Sequence, residues 1–170
     1  YTYNYCLENF MGCSYPFIIN HLLEAHPEFP CKEFEEKFIK IANYKIHKEL
    51  KVMPNAHVIL EQLSNYKKCV VSNGEKPVVK NSLKITGLIK YFKNEHIYTH
   101  EFVECGKPSP ELFLYAANKF KVNPDKCLVI EDSVFGITGA LNAGMDTLAY
   151  QPFATSSIIG QQIKNLNPMA

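Results

Sequence analysis

The hydrophobic pattern changes its period near residue 52. Before that point apolar residues fall at helical spacing. Phe17, Ile18, His21, Leu22 and Ala25 follow Pro16, which suits a first helical turn. Phe34, Phe38, Ile41 and Tyr44 form a second stripe, with Glu35, Glu36, Lys37 and Lys40 between them. Residues 27–30, with a proline at each end, separate the two. The spacing predicts a small pair of helices packed stripe against stripe.

After residue 52 strand and helix patterns alternate. Residues 56–63 read as a helix. Residues 68–71 in "KKCVVSNG" read as a short buried strand stopped by Ser-Asn-Gly. A helix begins over 78–83 and breaks at Gly87, and "HIYTH" (96–100) reads as a short strand. Residues 110–120 form a helix with Leu112, Phe113, Ala116 and Ala117 on its inner face. "KCLVI" (126–130) is a second buried strand, stopped by Glu-Asp-Ser. "GITGALNAG" is a small-residue helix closed by Gly144, and "DTLAY" (146–150) is a further short strand. The alternation predicts an α/β fold, a doubly wound parallel (Rossmann-like) sheet with helices on its faces. Unbroken apolar strands imply burial on both sides.

Composition narrows the classes. The chain is 46% hydrophobic and 21% charged, an ordinary globular balance, with a formal net charge of +1. No run of one sign suggests a nucleic-acid footprint or a polybasic membrane anchor. No apolar stretch reaches the ~18–20 residues of a membrane span. Six cysteines, none in a CxxC pair, read as reduced thiols in a cytoplasmic protein, and no secretory signal is visible. The six histidines show no ligand spacing, and nothing demands more than a monomer. The tail over 154–170 reads as a late helix and a fraying end.

Ligands of open parallel sheets bind beyond the carboxyl ends of the strands. Ser72-Asn73-Gly74 follows one strand there, and Glu131-Asp132-Ser133 follows another. Lys107 lies in a Gly/Pro-rich loop before the 110–120 helix. Singly, each has a plain reading: a turn, a helix cap, a solvated loop. Together they suit a magnesium-assisted phosphoryl site. Carboxylates take a hard cation, a hydroxyl and backbone N–H groups take phosphate, and a lysine reaches another phosphate oxygen.

"VVSNG", "GKPSPELF" and "CLVIEDSVFGITGALNAGM" resemble the second, third and fourth motifs of the haloacid dehalogenase-like (HAD) hydrolases, nearest the phosphatase and phosphoglucomutase-like branch. The resemblance covers roughly residues 52–150 and, more loosely, the helical part before it. It implies that Ser72 binds the transferring phosphoryl group, with the Asn73 backbone N–H helping. It implies that Lys107 neutralises phosphate charge and steadies a nucleophilic carboxylate. Asp132, with Glu131, would hold Mg2+ directly or through water. Residues 1–51 would be part of a helical cap that selects substrate, with Gly12 in its substrate loop, and residues 52–170 a core lacking its first strand. The family acts through an aspartate in a DxDxT motif, and no DxD occurs in these 170 residues. The resemblance therefore places the nucleophile upstream of Tyr1. Three readings follow: a phosphatase of small phosphorylated metabolites, a sugar phosphomutase, or a non-catalytic binding protein on the same fold.

Overall fold

The computed structural model describes residues 1–150. The 154–170 tail lies outside the described residues. Three helices open the chain: α1 (Tyr3–Phe10), α2 (Tyr15–Ala25) and α3 (Cys31–Glu49). The Thr2 hydroxyl caps α1 by accepting from Tyr5 N at 3.2 Å, and Ser14 caps α2 by accepting from Phe17 N at 3.4 Å. Tyr15 of α2 packs on Phe34 and Phe38 of α3, with ring centroids 6.5 and 5.5 Å apart. Tyr15 lies outside the expected stripe. Of the stripe itself, Phe17 meets Phe135, and His21 meets Tyr5 and Phe10 of α1, so the two stripes do not pack on each other as expected. Ile41 and Tyr44 are each 61% exposed. At 1.5 Å per residue the 19 residues of α3 run about 28 Å and the 11 of α2 about 16 Å, so α3 outruns its neighbour. α1 was absent from the sequence-based expectation altogether.

The second half alternates as expected: α4 (Ala56–Gln62), β1 (Val70–Ser72), α5 (Lys76–Ile85), β2 (Ile97–Thr99), α6 (Glu111–Phe120), β3 (Leu128–Glu131), α7 (Val134–Asn142) and β4 (Asp146–Ala149). β1 pairs with β2 in parallel, Ser72 opposite Thr99, and β3 pairs with β4 in parallel, Glu131 opposite Ala149. Both pairs pack on one apolar core. Phe113 and Ala117 of α6 meet Ala140 of α7, with Ala143 and Met145 beyond it. Val71 of β1 and Val129 of β3 close on this cluster. The inner face expected for α6 is the observed one: Leu112, Phe113, Ala116 and Ala117 are its buried residues.

Among the described residues the strands form two separate parallel pairs, consistent with the expected parallel sheet lacking its first strand. One expectation changes: β3 is not buried on both sides, since Leu128 is 59% exposed and Ile130 51%. Side chains alternate along a strand, so Val129 faces the core while Leu128 and Ile130 share the face that no described element covers. No helix among the described residues is long and apolar enough to cross a membrane. The six cysteines are free.

Candidate functional site

Lys107 is the hub. It is 9% exposed, held in the loop that leads into α6. Its Nζ donates to Val71 O on β1 at 2.9 Å and pairs with the Glu131 carboxylate at the end of β3. The two side chains are only 6% and 11% exposed. Two charges buried this deeply are tolerated because they neutralise each other and share further hydrogen bonds. One ammonium thus ties the end of the β1–β2 pair to the end of the β3–β4 pair.

The turn after β3 is built around Glu131. Its Oε2 accepts from Asp132 N at 3.0 Å, Ser133 N at 3.2 Å and Ser133 Oγ at 3.0 Å. Ser133 also caps α7, its Oγ accepting from Gly136 N at 3.0 Å. A Cβ at Gly136 would overlap the Glu131 carboxylate, so glycine lets the first turn of α7 come this close. Burial pushes the Glu131 carboxyl up, but Lys107 and Ser133 outweigh it, and the group sits below its usual 4.5.

Asp132 behaves oppositely. It is exposed on a cleft of about 160 Å³ that Ile130, Glu131 and Tyr150 also line. Partial desolvation, then the charge of Glu131, push its carboxyl above 3.8. Glu131 is committed to Lys107 and the turn, while Asp132 has no cation of its own among the described residues. Of the two, the Asp132 carboxylate beside the cleft is the oxygen donor that fits a hard divalent cation, with both Glu131 oxygens engaged behind it.

Ser72 ends β1, and its Oγ accepts from Gly74 N at 3.0 Å. Asn73 is 5% exposed and its carboxamide is fully engaged. Oδ1 accepts from Lys107 N at 2.8 Å, while Nδ2 donates to Lys107 O at 2.9 Å and to Gly12 O at 2.8 Å. Direct contacts therefore run from Gly12 through Asn73 and Lys107 to Glu131, and Ser72 and Asp132 each adjoin a member of that chain. The sequence reading missed the Asn73 side chain and the double bonding of Ser133, although the spacing Glu131-x-Ser133-x-x-Gly136 carries the latter. It also missed a surface cluster of Glu75, His100 and Glu101, whose ligand-type atoms lie within 4.8 Å of one another. Glu75 and His100 are far apart in sequence, and the β1–β2 register brings them together.

With this geometry in place, likeness to known proteins is informative. Residues 4–150 match the family described as haloacid dehalogenase-like hydrolase, and the chain belongs to that family. A 6-phosphogluconate phosphatase of Escherichia coli K12 is 28% identical over 102 residues, covering 60% of this chain and 45% of the relative. A probable pseudouridine-5'-phosphatase of Drosophila melanogaster is 32% identical over 148 residues, covering 83% of this chain and 64% of the relative. Among solved structures, a haloacid dehalogenase-like protein of Agrobacterium tumefaciens superposes with a TM-score of 0.77 at 24% identity, covering 99% of this chain and 76% of that one. The chain spans a third to about half the length of several curated relatives it matches.

Proposed function

We propose that the protein is a magnesium-dependent phosphatase of small phosphorylated metabolites, sugar phosphates or their acids. The observation that carries this reading is the buried Lys107–Glu131 pair joining two strand ends, with Ser72 and Asp132 flanking it. Catalysis of phosphoryl transfer is mostly positioning and charge stabilisation, and these groups are held by packed elements. Ser72 and the Asn73 N–H bind phosphoryl oxygens. Lys107 offsets their charge and steadies the attacking carboxylate. Asp132 would hold Mg2+, with Glu131 beside it, and the ion would supply charge neutralisation at the phosphate.

The nucleophile in this reading is an aspartate outside residues 1–170. Its carboxylate attacks phosphorus and displaces the alcohol, and water then hydrolyses the aspartyl-phosphate to free phosphate and carboxylate. Residues 1–51 act as part of a cap that selects substrate, Gly12 lying in its loop. The free cysteines fit a reducing, cytoplasmic setting. The names of the relatives, a 6-phosphogluconate phosphatase and a pseudouridine-5'-phosphatase among them, support phosphorylated sugars as the substrate class.

The test is phosphate release by the intact protein over a Mg2+ titration, with Asp132→Asn alongside. The expected result is loss of the Mg2+-dependent turnover, at least about a hundredfold, with the fold retained. Turnover unchanged in Asp132→Asn would reject the metal assignment.

A further inference from the structure

We infer that the Asn73 side chain is a positioning group that couples the seating of the N-terminal helices to the setting of Lys107. The catalytic meaning of this coupling rests on the phosphate-binding reading of Lys107; the coupling itself does not. An asparagine in a Ser-Asn-Gly turn ordinarily bonds its own backbone neighbourhood. Here the partners are 34 and 61 residues away in sequence. Both Nδ2 hydrogens and the Oδ1 acceptor are in use, and the group is nearly sealed from water, so any lost partner leaves a buried polar atom unmet.

The Gly12 link between α1 and α2 presses on this network at two points. Its carbonyl accepts from Asn73, the residue that clamps the Lys107 backbone on both its N–H and its C=O. Its α-carbon lies against Ser133, which holds the Glu131 carboxylate: a Cβ on Gly12 would stand 2.8 Å from both Ser133 Oγ and Ser133 Cβ. Gly12 also has φ +87°, a conformation that side chains disfavour. One link thus touches the residue that sets the lysine and the residue that sets the glutamate of the same buried pair. Lifting the link removes an Asn73 acceptor and lets water reach the backbone of Lys107.

Hydrogen exchange of the intact protein reads this without turnover. Gly12→Ala crowds Ser133 and strains the link, and the Lys107 amide, bonded to Asn73, should exchange about tenfold faster or more. The Leu114 amide inside α6 serves as the reference and should keep its rate. In the reverse direction, Asn73→Asp presents an acceptor to two carbonyls. The Cys13 amide, bonded to Phe10 O at 3.1 Å, should then exchange about tenfold faster. An unchanged Lys107 amide in Gly12→Ala overturns the coupling, as does an unchanged Cys13 amide in Asn73→Asp. If Leu114 accelerates equally in Asn73→Asp, that variant reports unfolding and Gly12→Ala decides alone. In turnover, each variant should lose about tenfold or more in kcat, and the double variant should be no worse than the weaker single one. Losses that multiply would reduce Asn73 to a structural part. A protein that releases no phosphate at all would sink the phosphatase reading, while the exchange rates still judge the coupling.

Discussion

The N-terminal helices and the strand-bearing half bury their apolar residues very differently. α1 to α3 bury one side chain, Leu22, and lean on ring contacts such as Tyr15 with Phe34 and Phe38. The second half drives Ile97, Leu112 and Ile137 to 0% exposure and packs both strand pairs on one cluster. The charged groups of the site all belong to the well-packed half. The helical half reaches them through the Gly12 link. In the proposed reaction the groups that stabilise charge are held by buried hydrogen bonds, whereas the helices that reach their neighbours Asn73 and Ser133 bury one side chain.

The sharpest way to break this contrast is to unpair the buried ions. Lys107→Ala leaves the Glu131 carboxylate buried beside Val71 O with no cation, and should cost about 3–5 kcal/mol in urea unfolding. A loss below about 1 kcal/mol would class the pair with surface ion pairs. Leu112→Ala, at a fully buried position between α6 and the first strand pair, should cost about 2–5 kcal/mol.

A smaller effect separates the two carboxylates. Glu131 titrates lower when folded than when unfolded, so its contribution is present above about pH 4.5 and fades as pH falls through its native value. Asp132 titrates higher when folded, so its ionised form is a cost that protonation relieves, with the opposite slope. Comparing acid unfolding of Glu131→Gln with the native protein should show that the variant lacks the stability the native protein loses below pH 4.5. The slope removed is at most about 1.4 kcal/mol per pH unit. Identical acid limbs would remove the pair from the stability account. The smallest effect belongs to the helical half: Tyr44→Ala, at a 61% exposed site, should change stability by no more than about 0.5 kcal/mol. A cost near that of Leu112→Ala would erase the contrast between the halves.

Much of the strand-bearing half was legible because its cues are local. Ser72 and Glu131 each end a strand that runs one residue further than expected, Asp132 follows the second strand, and Lys107 precedes a helix as its sequence context indicated. Parallel pairing followed from the alternation of strand and helix. The unread features depend on distant partners. Exposure of Leu128 and Ile130 is decided by what lies over one face of β3, which periodicity does not encode. α1 has mixed aromatic and polar residues over only eight positions, too few for a clear stripe. Asn73 reads as a turn residue until the Gly12 link and the Lys107 loop are brought against it in space.

The most direct measurement is phosphorus NMR of the intact protein incubated with Mg2+ and a panel of sugar phosphates. The account predicts that the substrate resonance is replaced by free phosphate. A new sugar-phosphate resonance with no free phosphate would make the protein a mutase, and an unchanged spectrum across the panel would contradict the phosphatase reading.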